Sequence, residues 1–436
     1  MIKLNFKNSK RIFVMILGFI LTFMFYLPVA AASGQTNNVI DTKEKSNSFG
    51  YLRDIHSFKN YNRLTDFLNS YMDFICSSKG NLSIDDKEAE KYYEKDKSVE
   101  YIYLDYTIKR RLAQIDDLSY KITNHSVDIK SVEEKNDLYY VSLEDYTKMK
   151  YGCVKNQESE ELVYHYIILK SQKESFKIVV DNDYDELREE LGITDNSTVE
   201  QVSKKVDDAL KKEKKEITRE EQSIKRNYLN SDNNNISDDE DIEIIGGGEV
   251  PCVGAASFSY HKYNRNAAYQ YAFKYYRNPN PAYVNFEQMG GNCTNFTSQC
   301  LKAGGIVQDN VGNYTWYYNN ANNRAGAWSS AELFRQYFRN NVGSHDIKGL
   351  RAGGCRLSTT RLGDLVQRVK NGKATHTMFI CGCVNNIGTN GDWIQKTDVL
   401  IAQNSTGVSG RLWNVPLKTK YSGKQVKYIH IVGSFY

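Results

Sequence analysis

Gly290-Gly291-Asn292-Cys293-Thr294-Asn295-Phe296 runs on through Thr297-Ser298-Gln299-Cys300-Leu301 to Ala303-Gly304-Gly305, and this stretch decides how the second half of the chain is read. Paired glycines make a tight turn, and the segment to Leu301 reads as a helix, so Cys293 falls at a helix start. A thiol there sits at the positive end of the helix dipole among unbonded backbone amides, which favours the thiolate at neutral pH. The same amides can face an oxyanion that develops on a carbonyl under attack. Asn292, directly before the thiol, is read as a supporting residue. Gln288, five positions upstream, offers a side-chain amide to the oxyanion, with packing of the turn as its plain alternative.

A nucleophilic thiol needs a base, and one of the seven histidines is well framed. Leu362-Gly363-Asp364-Leu365-Val366 reads as a turn into a strand, Asn371-Gly372 as a hairpin turn, and Thr375-His376-Thr377-Met378-Phe379-Ile380 as the returning strand. By the period of two, His376, Met378, Ile380 and Val384 share one face, which is expected to look toward the layer holding the Cys293 helix. A third strand, Val399 to Gln403, ends at Asn404-Ser405, and Asn404 is expected to hold the imidazole tautomer as the third member of a Cys-His-Asn set.

These residues resemble the amidase domain of secreted bacterial proteins, within the papain-like group that includes the CHAP and NlpC/P60 cell-wall hydrolases. The likeness covers residues 260–436. It rests on the Gly-Gly-Asn-Cys-Thr-Asn-Phe motif with Ser298-Gln299, on the Ala-Ala-Tyr and Tyr-Ala pairs in 265–276, and on Asn280 and Tyr283. Trp316-Tyr317, Trp328-Ser329, Gly363-Asp364 and His376 then follow in order. Two positions depart from the family pattern: Asn292 stands where Asp is more usual, and His or Asp is frequent where Asn404 is assigned. The resemblance implies a papain-like fold, with a Cys-bearing helix packed on an antiparallel sheet bearing the His. It also implies hydrolysis of a peptidoglycan amide with no cofactor and no metal. Cys252, Cys300, Cys355, Cys381 and Cys383 contain no CxxC pair, so disulfides or buried thiols are expected there rather than zinc. Cys300 lies two helical turns from Cys293, too far for a bond between them.

Upstream, the first 32 residues read as a signal peptide. Lys3, Lys7, Lys10 and Arg11 precede the apolar run from Ile12 to Leu27, and Ala30-Ala31-Ala32 offers a cleavage site. The chain is therefore expected to be exported to the cell wall or beyond, with no stable membrane anchor and no nucleic-acid partner. Residues 51–190 read as an α+β domain. Helices are expected over Phe58–Ile75 and Lys97–Gln114, followed by strands over Tyr120–Val132, Leu138–Lys148, Leu162–Leu169 and Ser175–Val180. The order suggests a curved sheet similar to nuclear-transport-factor-2-like domains, and His125, His165, Cys76 and Cys153 are assigned structural roles. Residues 197–229 read as a spacer helix opened by a Ser197/Glu200 capping box, its thin apolar stripe suited to a solvated helix lying against one neighbour rather than to an obligate coiled coil. Residues 230–250 read as a flexible acidic linker rich in Gly and Asn.

The chain has 436 residues, 40% hydrophobic and 25% charged, which allows two or three packed domains and excludes a membrane bundle or a disordered chain. Its net charge of +4 hides a division. Residues 251–436 hold 11 Lys and 10 Arg against 5 Asp and 2 Glu, a net of +14, so the rest carries −10. Of that, the leader contributes +4 and residues 33–250 carry −14. Either the two halves are charged for solubility, or the basic half meets a polyanion such as the cell-wall polymer while the acidic half competes for it. The expected activity is that of a secreted cysteine amide hydrolase. Its rivals are a non-catalytic wall-binding module and a protein-directed cysteine peptidase or transglutaminase-like enzyme, since Cys-His chemistry does not fix the acceptor.

Overall fold

The computed structural model describes residues 60–94, 98–114, 117–173, 175–194, 196–231, 260–289, 291–340, 349–387, 394–405 and 410–435. The signal peptide and most of the acidic linker read from the sequence lie outside these residues. Three helices, α1 (Tyr61–Asn81), α2 (Asp86–Tyr92) and α3 (Val99–Leu112), precede four antiparallel strands, β1 (Tyr120–Lys135), β2 (Leu138–Tyr151), β3 (Ser159–Gln172) and β4 (Ser175–Asp181). Asn136 and Asp137 join β1 to β2 with φ of +55° and +60°, a turn whose twist matches the flanking strands. Leu64, Leu68, Tyr71 and Ile75 of α1 pack on Tyr139, Val141 and Leu143 of β2, which alternate with more exposed residues as the sheet period requires. Of the residues assigned structural roles, His125 bridges Asp73 and Asp145, and His165 meets Asp181 at 3.0 Å.

After a short helix, α4 (Asp185–Glu190), comes α5 (Val199–Ser231). Its capping box lies one residue later than expected. Thr198 Oγ1 accepts from the Gln201 N–H at 3.3 Å while Gln201 Oε1 accepts from the Thr198 N–H at 2.9 Å. Val202, Val206 and Leu210, on the thin apolar stripe of α5, are buried in the same core as α1 and α3.

The second half comprises β5 (Tyr260–Lys262), α6 (Arg265–Tyr275), α7 (Cys293–Ala303), the small hairpin β6 (Tyr318–Asn320) and β7 (Asn323–Arg324), and α8 (Ala331–Asn340). Then follow β8 (Gly349–Cys355), β9 (Leu365–Lys370), β10 (Lys373–Ile387), β11 (Ile394–Gln403), β12 (Arg411–Pro416), α9 (Leu417–Tyr421) and β13 (Val426–Phe435). The fold class is α+β, as read from the sequence. The Asn371-Gly372 turn between β9 and β10 has both residues at positive φ, as a tight hairpin demands. Helix α7 packs against β10, and the buried rings of Trp316 and Trp328 close over it: their indole N–H groups donate to Ser298 Oγ at 3.0 Å and Asn295 Oδ1 at 2.8 Å.

The two halves share one sheet. Its order is β1-β2-β3-β12-β11-β10-β9-β13-β5, with β4 alongside β3 and β8 alongside β13. The junction is antiparallel, with Leu162 opposite Arg411 and Glu160 opposite Trp413. Met149, Tyr151 and Val154 belong to the same apolar cluster as Phe296, Leu301 and Trp316. Charges also meet across it: Lys420 pairs with Glu161 and Lys370 with Glu189, both at 2.8 Å, while Arg368 and Lys424 converge on Glu190. Part of the opposite charge of the two halves is thus satisfied within the molecule.

Candidate active site

Cys293 is the first residue of α7, and Gly291 before it has a φ of +116°, a backbone state that a side chain would strain. The Asn292 side chain makes no capping bond to the helix, so the first-turn amides are left to other acceptors. The thiol contacts the His376 imidazole, the Thr377 backbone N–H and, at 3.7 Å, the Thr294 hydroxyl. Cys293 and His376 are each 8% exposed. Burial alone would raise the thiol, but the charge of the adjacent imidazole, its hydrogen bond and those from Thr377 and Thr294 outweigh this and lower it to about 6. Burial pulls the imidazole down, and the Cys293 charge and hydrogen bond, with the bond to Gln403, raise it above its ordinary value. Both directions favour a thiolate–imidazolium pair. The other buried thiols move the opposite way: burial pushes Cys76 up to about 11 and Cys381 up to about 12. Of the cysteines expected to be in disulfides or buried as thiols, Cys300 and Cys381 are free and buried, Cys355 is free and half-buried, Cys383 is free but exposed, and Cys252 lies outside the described residues.

The side chain bonded to the imidazole is that of Gln403, not of Asn404. His376 Nε2 lies 2.8 Å from Gln403 Oε1. An amide oxygen only accepts, so Nε2 carries the proton and Nδ1 is left for the thiol. The amide cannot flip without loss, since Gln403 Nε2 donates to the Gly410 carbonyl at 3.2 Å. Tyr421 completes the support: its ring stacks on the imidazole at 6.0 Å, and its hydroxyl donates to Gln403 Oε1 at 3.3 Å. Alternation along β11 accounts for the difference: Gln403 shares the face of Ile401, which packs with Met378, Ile380 and Tyr421, whereas Asn404 shares the face of Ala402, which packs with Phe296 and Leu301 of α7.

Asn404 is fully buried on the other side of the thiol's loop. Its Nδ2 donates to the Tyr276 carbonyl at 2.8 Å and the Tyr275 carbonyl at 3.2 Å, and its Oδ1 accepts from Asn292 Nδ2 at 3.0 Å. Asn292 Oδ1 in turn accepts from Asn295 Nδ2 at 2.7 Å and the Phe286 N–H at 3.3 Å. The Asn292 side chain is thus spent on holding the turn, between Asn404, Asn295 and the Phe286 N–H. Gln288 lies in a short 3-10 turn, Glu287–Met289, and its side chain lies outside the described residues.

The face assignment on β10 needs a second correction. Met378 and Ile380 share a cluster with Tyr421, and His376 stacks there too, but Phe379, Cys381 and Val384 pack in the cluster with Phe296 and Leu301 of α7. A register shift between Ile380 and Gly382 puts Val384 on the opposite face from that read by simple alternation. The imidazole meets the thiol at the tip of α7, beside the Thr377 backbone, rather than beneath the helix body.

The Gly363-Asp364 pair is a clamp rather than chemistry. Asp364 is fully buried, accepting from Arg265 at 2.7 Å, the Arg361 N–H at 2.7 Å and the Ile431 N–H at 3.0 Å, with His430 Nδ1 3.0 Å away. It ties the start of α6 to the edges of β9 and β13. Sequence reasoning missed Gln403, Tyr421 and Thr377. Gln403 was within reach, since it adjoins the residue chosen in its place, whereas nothing local marks Tyr421.

Residues 262–431 match the family model described as "Putative amidase domain". The match supports an amide-hydrolase type of domain for this region. The uncharacterized protein YhbB of Bacillus subtilis (strain 168) is 39% identical over 82 residues, which are 18% of this chain and 25% of that protein. The chain thus spans about a quarter of the length of the curated relative it matches. No solved structure matches it.

Proposed function

We propose that the protein is an exported cysteine amide hydrolase of papain-like type that acts on peptide or amide bonds of peptidoglycan. The observation that carries the cysteine mechanism is the assembly of a lowered thiol, an imidazole touching it and an amide oxygen on the far ring nitrogen. In this reading the Cys293 thiolate attacks the amide carbonyl, and the oxyanion is received by first-turn amides of α7. The His376 imidazolium gives its Nδ1 proton to the departing amine. The neutral imidazole then takes a proton from water, which attacks the thioester and releases the carboxylate and the thiolate. Gln403 and Tyr421 keep the ring oriented through both steps.

The peptidoglycan substrate is supported by the leader sequence and by the basic, aromatic-rich second half. An anionic wall polymer would meet those cations of that half that are not engaged by Glu161, Glu189 and Glu190. Digestion of purified wall by the mature chain, with identification of new amino and carboxyl ends, tests the reading. Release of paired ends that is lost in Cys293→Ala supports it. Intact wall under conditions where Cys293 is reactive to alkylation overturns the substrate assignment while leaving the cysteine chemistry standing.

A further inference from the structure

A cavity of about 160 Å³ lies between α1, α3, the strands β1 to β3 and α9, at the seam of the two halves. That is room for roughly five waters, or for one molecule of amino-acid size. Lys79, Arg110, Arg111, Lys420 and Lys424 line it, against Asp145, Glu161 and Asp183. Most of these charges are matched. Lys79 pairs with Asp183 at 2.5 Å, Lys420 with Glu161 at 2.8 Å, Lys424 with Glu190, and Asp145 with His125 at 2.6 Å. Arg110 Nε lies 3.0 Å from Glu213 Oε2, yet neither atom makes a hydrogen bond there.

Arg111 stands apart. It is 7% exposed, one of its terminal nitrogens donates to the Lys79 carbonyl at 3.0 Å, and its Nε is buried with no hydrogen-bond partner. Among the described residues it makes no ion pair with a carboxylate, and Glu161, whose charge reaches it, is already bonded to Lys420. A buried guanidinium without a counter-ion is costly, and its planar fork is shaped for two oxygens of a carboxylate. The apolar side of the cavity, Met72, Ile75 and Val163, would cover the rest of a small organic molecule.

We propose that this cavity binds a small carboxylate of amino-acid size, with the carboxylate on Arg111, and that its occupancy is felt at Cys293 through α9. The connection is short. Thr419, Lys420 and Tyr421 form the α9 wall of the cavity, and Tyr421 is the residue that stacks on His376 and bonds to Gln403. A ligand that bridges Arg111 and Lys420 holds α9 in place, and with it the imidazole beside the thiol. Such coupling requires only that the ligand prefer the arrangement with Tyr421 seated. The inference does not depend on which amide the protein cuts.

The test uses the mature chain with acetate, alanine, glutamate and inorganic phosphate as probes. Calorimetry reads binding, and mass spectrometry of tryptic peptides reads iodoacetamide alkylation at Cys293 at pH 6. At least one carboxylate is expected to bind saturably with a Kd near or below roughly 1 mM. It should raise the alkylation rate about fivefold, the lower end of ordinary coupling. Arg111→Gln should weaken binding tenfold or more, and Lys420→Gln, at the other cation the ligand bridges, serves as the second variant should Arg111→Gln not fold. No binding by any of the three carboxylates to the unmodified chain, or binding by phosphate alone, overturns the ligand class. Binding that survives both substitutions overturns the placement, and binding without any change at Cys293 overturns the coupling.

Discussion

Replacing Gln403 by Ala separates the third member of the site from its neighbour more sharply than any other change. The Gln403 oxygen accepts from the ring nitrogen of a group that is charged in the ion pair, over 2.8 Å and in a fully buried position. A hydrogen bond to a charged partner contributes about 1.5–3 kcal/mol, and 1.36 kcal/mol moves a titration midpoint by one pH unit, so the loss should move the pair by about one to two units. The sign follows from which form the bond favours. Gln403 stabilises the imidazolium, so removing it lowers the histidine and, through the weaker ion pair, raises the thiol from about 6 toward 7 or 8. Site-resolved alkylation of Cys293 across pH 5–9 measures this. At pH 6 the variant should react about 5- to 50-fold more slowly, and the difference should close above pH 8.5 as both thiols ionise. A midpoint within about 0.3 unit of the unmodified protein, or a rate reduced by the same factor at every pH, would refute the argument, because neither is a change in ionisation.

Cys293→Ala and His376→Ala should each reduce amide hydrolysis by more than about a thousandfold, measured on wall fragments, with melting temperature little changed. Asn404→Ala should leave the alkylation midpoint alone but cost about 1–3 kcal/mol of stability in denaturant titration, since it strands two buried carbonyls and the Asn292 amide. In Gly410→Ala the new methyl would lie 2.6 Å from the Leu162 carbonyl at a φ of +60°, so a loss of about 1–3 kcal/mol is expected in the same titration. Thr198→Ala should cost about 1 kcal/mol, whereas Ser197→Ala, one residue outside the capping pair, should cost less.

The residues with strong local signals read well. The helix start at Cys293 after Gly291, the Asn371-Gly372 hairpin and the alternation in β1 to β4 are each fixed within a few neighbours, and each appears where the sequence puts it. Errors arose where a count of one decides the answer. A strand's faces invert with a single-residue slip, so the register shift at Ile380/Gly382 moved the face of Val384, while Gln403 and Asn404 differ only by the ordinary alternation of β11. The shared sheet was not legible at all. Nothing near Leu162 announces that its partner will be Arg411, and the acidic and basic halves carry that information only as net charge. Tyr421 was hidden for the same reason, because its role depends on contacts made across the sheet.

The pairing of Leu162 with Arg411 spans 249 positions, which sets an order of events during synthesis. A chain emerging N-terminus first completes β1 to β4 long before β12 exists, and the segment of β3 that will meet β12 must wait with an unpaired row of amides and carbonyls. An open edge of that kind invites pairing with a second copy. Glu160 and Glu161 lie on it, and in two waiting copies these carboxylates would be brought face to face. In the finished protein each is claimed, Glu160 by the hydroxyls of Tyr146 and Tyr276 and Glu161 by Lys420. The carboxylates that would guard that edge thus also help to close the seam of the completed molecule.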